Sequence, residues 1–456
     1  MHRRKILPRV IREGSLFVLA GLLIFFPVSM VGGADVLKCD LKACIGYALK
    51  NRNDARAAKF DGDAADLSIT IARSKFSPKI NVDTEAGYFA GNPTTPFAIV
   101  GDISEEGIPR QDRSDPYYSA RFNLDIPLFV EGTIYRKNAP SVKKREYERS
   151  HKIALRESIE SHIMNEVSEA YFDLLQMMRE VEINELNAKL KKLNHETIDA
   201  KFLEGLVPET DLITARIDLL NVKKDLDISM NELNLRKIVF IKSLGGPLNL
   251  KIEMSYSSLD IAELPDVNIL IDKAFSRRSD IKSTKALFEM EREDAEFYTM
   301  SNYPSVNLIA GYTLADDFDP PLNDSWNIFM KVSLPILDGG FNKNNASLSE
   351  IKAKMINENL AWLYQEIKEE VWHSYYDVKG LQIEFEMRGR EIKLMEEKLS
   401  VTREKVKENL LPEVALKEEE IKLEIEKKRN LQLEYRVSEA IARLNKVIGD
   451  AEYALP

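Results

Sequence analysis

Cysteine and histidine are scarce in this chain, at 2 and 5 residues among 456, and the motifs that build common catalytic sites are missing. Two cysteines supply no disulfide framework, and a structural metal site usually requires four ligands. There is no HExxH helix, no glycine-rich phosphate loop after a strand and no GxSxG elbow. His195 and His373 stand alone, while His151 and His162 share a helix face but are separated by two turns of intervening charge. The plentiful carboxylates form solvated helix faces such as Glu418-Glu419-Glu420. The chain therefore reads as non-enzymatic and without a cofactor. Positive charge is also short: 64 basic residues face 74 acidic ones, a net charge of −10. Such a balance excludes a nucleic-acid binder that must neutralise phosphates.

The first 34 residues differ from the rest. Arg3, Arg4, Lys5, Arg9 and Arg12 form a basic start, Ser15 to Val31 is mostly apolar, and Gly32-Gly33-Ala34 offers small residues for cleavage. That is the layout of a secretory signal peptide. A retained anchor is the competing reading, and Pro27, the short run and the small-residue end argue against it. The segment carries a net +4, so its removal takes the chain from −10 to −14. Lys38 before Cys39 argues against acylation. Cys39 and Cys44 are compatible with a local disulfide and, equally, with two unpaired thiols.

What is present is a text written twice. Asp54, Pro78 and Asn81 recur as Asp280, Pro304 and Asn307 at a shift of 226. Pro127 and Gly132 recur as Pro335 and Gly340 at a shift of 208. Val167, Tyr171, Asp173, Pro208 and Gly245 recur as Val371, Tyr375, Asp377, Pro412 and Gly449 at a shift of 204. One unit is built twice, so the fold must be pseudo-symmetric. The expected layout is a signal peptide at 1–34, a first repeat at 35–245, a linker at 246–266, a second repeat at 267–450 and a tail at 451–456.

Most of the chain has helical periodicity. Leu155, Ile159, Ile163, Val167, Tyr171, Leu174, Met178 and Val181 step by threes and fours, as do Leu212, Ala215, Leu219, Val222 and Leu226. No proline or glycine occurs from Lys143 to Phe202. At about 1.5 Å per residue, this gives a helix on the order of 90 Å, too long for a globule. Leu41 to Lys75 and Leu212 to Leu244 each read as about half such a helix.

Four segments instead alternate with period two, near 79–90, 116–129, 305–315 and 325–337. Ile80, Val82 and Thr84 oppose Asn81, Asp83 and Glu85; Phe122 and Leu124 oppose Arg121, Asn123 and Asp125. In the second copy Tyr312, Trp326, Ile328 and Met330 oppose Asn307, Thr313, Asn327 and Lys331, with Ile309 and Phe329 as exceptions. Roughly ten residues is the length of a tilted transmembrane strand. An open sheet cannot span lipid, and the smallest single-chain barrels have about eight strands, so a chain with four must oligomerise. The competing class is a secreted coiled-coil scaffold without a pore, which leaves the alternating strands unexplained. The drop in shift from 226 to 208 makes the first hairpin loop, Gly91 to Asp115, 18 residues longer, as expected of a loop facing outside. The further drop of four falls near the start of the long helix.

The order of elements resembles the TolC-type outer-membrane efflux family. The resemblance is carried by Asp125-Ile126-Pro127-Leu128-Phe129 to Gly132 and Ser333 to Gly340 at the strand-to-helix junctions. It is carried also by Glu166-Val167 to Leu174 and Glu370-Val371 to Val378 in the long helices, and by Gly205-Leu206-Val207 to Asp211-Leu212 at a helix turn. The family implies a homotrimer whose chains give four strands each to a 12-stranded outer-membrane barrel, continuous with a periplasmic tube of helices. It implies passive conduction of cargo delivered by an inner-membrane pump through a periplasmic adaptor. Asp83, Glu85, Arg121, Asn123, Asp125 and Lys331 would then face the lumen. The adaptor would dock, and the pore narrow, at two turns: Gly205, Leu206, Val207 and Pro208 with Asp211, and Asn409, Leu410, Leu411 and Pro412 with Glu418. Asp211 matches the family's turn-following aspartate. In the second copy Ala415 and Glu418 stand at two acidic positions, and Leu411 stands where some relatives place arginine. A less ionic closure follows, with Leu410 and Leu411 as an apolar constriction.

Overall fold

The duplicated landmarks become duplicated elements. The computed structural model describes residues 37–89, 115–256, 264–316 and 323–450. The signal peptide, nearly all of the first hairpin loop and the tail lie outside the described residues. The first repeat runs β1 (Leu37–Cys39), α1 (Leu41–Asn51), α2 (Asn53–Ser74), β2 (Lys79–Phe89), β3 (Asp115–Phe129), α3 (Pro140–Leu203) and α4 (Glu209–Ser243). The joining segment carries β4 (Ile252–Met254), and the second repeat runs α5 (Val267–Arg277), α6 (Ser279–Met300), β5 (Ser305–Asp316), β6 (Asn323–Ser333), α7 (Phe341–Lys407) and α8 (Glu413–Val447). Among the described residues, no helix is long and apolar enough to cross a membrane.

The long helices form where proline and glycine are absent. Pro140 opens α3, where its missing N–H costs nothing, and the Glu131 carboxylate accepts the Ser141 N–H at 3.2 Å. In α7 the Asp338 carboxylate takes the same part, accepting from Gly340 and Asn342 at 2.8 Å each. Those two N–H groups hold Asp338 below the usual carboxylate range. Among the helices, α3 packs on α2, α4, α6 and α8, and α7 packs on α6 and α8. The short helices α1 and α5 pack on α3 and α7. Leu41, Ile45 and Ala48 of α1 share a core with Ile163, Val167 and Tyr171, and Val267, Leu270 and Ala274 of α5 share one with Ile367, Val371 and Tyr375.

The four long strands make one antiparallel sheet in the order β2-β3-β5-β6. Among the described residues, its outer strands β2 and β6 each have a neighbour on one side only. The fourth strand ends at Ser333 rather than near 337. Its counterpart β3 continues past a bulge after Pro127 because β5 lies beside it, whereas the corresponding stretch of β6 has no strand to pair with.

Two further expectations change. Leu41 to Lys75 is two helices, broken at Arg52, and the same break occurs at Arg278 in the second repeat. The four residues that distinguish the copies belong to the loop before α3, so the helices keep their register without an added turn. Within the segment joining the repeats, β4 pairs in parallel with β1. Cys39 and Cys44 are joined as a disulfide, both sulfurs buried, with Cα atoms 5.5 Å apart.

Candidate functional site

Strand register decides what each face of the sheet presents. Lys79, Asn81 and Asp83 lie opposite Asp125, Asn123 and Arg121, and Arg121 lies opposite Thr313. Gly311 lies opposite both Asn123 and Asn327, and Asn307 opposite Lys331. All of these residues fall on one face. Asn123 donates to Asp83 at 3.2 Å, and Asn307 donates to Asp125 at 2.9 Å, so the polar groups bond across strands. A Cβ at Gly311 would come within 2.7 Å of the Asn327 side-chain oxygen, which is why the smallest residue sits beneath these amides. Ile309 and Phe329, the two exceptions to the alternation, are direct cross-strand partners and form one apolar island in the polar face.

The opposite face carries Ile80, Val82, Phe122, Tyr312, Trp326, Ile328, Met330 and Val332, all exposed. Trp326 is 74% exposed. A contiguous apolar face of this size has to meet something other than water.

At the far end of the long helices, the two turns are alike in backbone and unlike in side chain. Gly205 has φ +71° and Asn409 φ +57°, both left-handed. Leu206 donates to the Lys201 carbonyl and Gly205 to that of Phe202, at 2.8 and 2.9 Å. Leu410 and Asn409 repeat the pair on Lys405 and Val406 at 2.8 and 3.0 Å. Each is a Schellman end followed by proline, which stops one helix and starts the next with five residues between them. Leu206, Leu410 and Leu411 are exposed, Leu411 least of the three, and Val207 is half-buried. Asp211 is exposed in the first turn of α4, its N–H donating to the Pro208 carbonyl. Glu418 is half-buried on α8, with Lys422 4.0 Å away and closer, at 3.2 Å, to the adjacent Glu419.

A pair of residues that sequence reading overlooked holds the two levels together. Arg52 donates to Asp54 at 2.7 Å, to Glu166 of α3 at 2.6 Å and to the Ser243 carbonyl at 3.1 Å. Arg278 repeats this with Asp280, Glu370 of α7 and the Val447 carbonyl. Each arginine thus ties the start of one half-helix to the end of the other and to the long helix beside them. The hydrogen bond from Arg52 holds Asp54 below its usual range. Gly245 and Gly449, both at positive φ, pass so close that a Cβ would sit 2.8 Å from Arg52 and 3.0 Å from the Arg278 backbone. Arg-x-Asp recurring at a shift of 226 was the available signal. Beside Arg278, a polar cavity of about 1310 Å³ is lined by His162, His373, Lys282 and Arg443 among others. Among the described residues, no cluster is arranged to hold a metal ion.

A family model described as outer membrane efflux protein matches residues 44–233 and 270–450, one span on each repeat. The chain belongs to that family. Its fold is that of TolC-like channels. It is similar to the solved structure of CusC, with 17% identity and a TM-score of 0.70 over 91% of this chain and 93% of that one. It is similar to VceC of Vibrio cholerae at 16% identity and a TM-score of 0.70, covering 90% and 96%. It is also similar to the Campylobacter jejuni CmeC outer membrane channel at 16% and 0.70, covering 90% and 87%. No curated protein matches. Its relatives in this family are outer-membrane channels, and an efflux-channel role follows for the chain.

Proposed function

We propose that this chain is the outer-membrane conduit of a tripartite efflux or secretion assembly, working as a homotrimer. The observation that carries the reading is the pairing of an unclosed, two-faced sheet with helix edges that expose apolar stripes. Tyr376 on α7 is 59% exposed, while Phe172, its equivalent at a shift of 204, is 1% exposed in the core shared with Tyr435 and Ala442 of α8. The α4 residues equivalent to this part of α8, Leu235 and Ile238, are exposed in turn. What one repeat buries within the chain, the other offers outward. A second copy supplies the missing surface, and three copies give 12 strands, enough to close a barrel.

In that assembly the apolar sheet face meets outer-membrane lipid. Asp83, Glu85, Arg121, Asn123, Asp125 and Lys331 line a watery lumen, and the helices extend as a tube through the periplasm. The channel does no chemistry and conducts passively what an energised inner-membrane pump delivers through a periplasmic adaptor. The two turns form the docking and narrowing end: Gly205, Leu206, Val207 and Pro208 with Asp211, and Asn409, Leu410, Leu411 and Pro412 with Glu418. Leu410 and Leu411 make the constriction apolar, and the Lys422 partner of Glu418 weakens an acidic ring there. The test is reconstitution of purified protein into planar bilayers, with the mass of the solubilised particle measured beside it. A three-chain particle giving discrete conductance steps is expected; a protein that stays soluble without detergent and gives no steps ends the proposal.

A further inference from the structure

The first repeat carries four residues that the second lacks at the passage from strand to long helix, and they build a projecting hook. After β3, Glu131 and Gly132 turn the chain at φ +52° and +71°, and Val130 and Thr133 exchange backbone hydrogen bonds at 3.1 Å. This is a two-residue turn of the mirror-image type, and it is held from both sides. A Cβ on Gly132 would lie 2.5 Å from the Met300 sulfur, and Glu131 is bound to the start of α3. From this base Ile134 and Tyr135 project, 73% and 72% exposed, followed by Arg136 and Lys137. Lys75 caps the end of α2, which packs Ala72 and Phe76 against Ala139, two residues beyond Lys137 at the start of α3.

We propose that Ile134, Tyr135, Arg136, Lys137 and Lys75 form a binding site for an anionic phospholipid at the membrane surface nearest the helices. The proposal rests on reading the sheet as a barrel wall. Position gives the first argument: the hook lies where the apolar sheet face ends and charged helices begin, the level of lipid headgroups. Chemistry gives the second, since an amphipathic ring and an aliphatic side chain enter that boundary while basic side chains meet phosphate. Charge gives the third. The neighbouring cations Arg73, Lys143 and Lys144 are all ion-paired within the chain, whereas Arg136, Lys137 and Lys75 have no ion-pair partner among the described residues. They form a basic patch on a chain whose net charge is −10.

Topology gives the fourth. Strand β3 lies between β2 and β5, and α3 lies between α2 and α6, so a second copy meeting the outer strands does not cover the hook. In the second repeat, Gly340 leads straight into α7 at Phe341 and no such loop exists.

The experiment titrates phosphatidylglycerol, in a phosphatidylcholine background, onto the detergent-solubilised full-length protein and counts retained lipids by native mass spectrometry. R136Q/K137Q is expected to weaken phosphatidylglycerol retention by roughly 30-fold, about fivefold for each cation lost near a membrane surface, and to leave phosphatidylcholine unchanged. I134S/Y135S is expected to weaken both lipids. Equal retention of phosphatidylglycerol by wild type and R136Q/K137Q overturns the proposal. So does displacement of the lipid by millimolar free phosphate, which would make the site an anion site, or loss of assembly in R136Q/K137Q, which would make the hook a contact between copies. A wild-type protein that fails to enter bilayers at all refutes the barrel reading instead, and conductance separates that outcome.

Discussion

Two seams of this molecule are pseudo-equivalent and chemically opposite. Where α3 meets α6 inside the chain, the contact is ionic and hydrogen-bonded. Lys144 pairs with Asp294 at 2.6 Å, Lys143 with Glu293 at 3.7 Å and Lys282 with Glu157 at 2.8 Å, and His151 meets Ser283 at 2.8 Å. In the proposed homotrimer its counterpart would join α7 of one copy to α2 of the next. There the residues equivalent to Lys144, His151 and Ser158 are Leu348, Met355 and Trp362, and Leu67 stands for Glu293. All four apolar residues are exposed, and Trp362 is 66% exposed. The linked seam can be weakly held because the chain itself keeps its helices together. The seam between copies has no such tether and relies on apolar area, at about 25 cal/mol per Å² removed from water. The same principle stands behind the two interleaved stripes of α4. Leu212, Ala215, Leu219 and Val222 lie buried or half-buried on the side facing α3, and Ile213, Ile217 and Leu220 lie exposed on the other.

The harshest way to break this contrast is to place charge in the apolar seam. W362D/L67D is expected to abolish the oligomer in detergent, because each large side chain forfeits about 1.5–3 kcal/mol of burial at every interface. Light scattering after size exclusion reads the mass; an unchanged particle would mean that the edges are not where copies meet. Next in size is the loss of an arginine knot. R52A and R278A are each expected to cost about 2 kcal/mol, less than a fully buried pair because the carboxylates are half-exposed, and to leave the oligomer intact. Denaturant unfolding measures it.

Smaller again is the ionic seam. K144A/D294A should cost roughly 1 kcal/mol at most, seen as a melting shift of about 1 °C in a chain of this length, with no change of mass. The least effect is on pH. Burial pushes His151 below the ordinary histidine range, with Lys152 also lowering it, Ser283 and Glu148 opposing. The unfolded chain therefore binds that proton more readily than the folded one. This contribution to stability is complete above about pH 6.5 and is lost as pH falls through the depressed value. H151N should flatten the melting-temperature profile between pH 7 and 5; an unchanged acid slope would assign the effect to other groups.

Much of this architecture could be read from the chain, for reasons visible in particular residues. The strands announced themselves because Asn81, Asp83 and Glu85 alternate with Ile80 and Val82, a period no helix supports. The turns did so because Gly205 and Asn409 are among the few residues that accept a left-handed conformation, and Pro208 and Pro412 follow each. The breaks at Arg52 and Arg278 were not legible locally. They depend on Glu166 and Glu370, 114 and 92 residues away, and no proline or glycine marks them. The end of β6 was also hidden, since Leu334 to Leu337 keep a strand-like composition and only the missing neighbour stops the ladder. The residues of the two turns were named from likeness to a family, and what the structure adds is their backbone geometry: left-handed Gly205 and Asn409, each followed by proline.

The unpaired edges of β2 and β6 also set how the protein comes into being. On the proposed trimer reading, a lone copy carries two unpaired strand edges and an exposed apolar face, so its folded state would be a reactant rather than a destination. Its lifetime is set by how soon it meets others, and its stability has no value apart from concentration. Slow export would then favour capture of these edges by other exposed strands. Bursts of synthesis would favour closure.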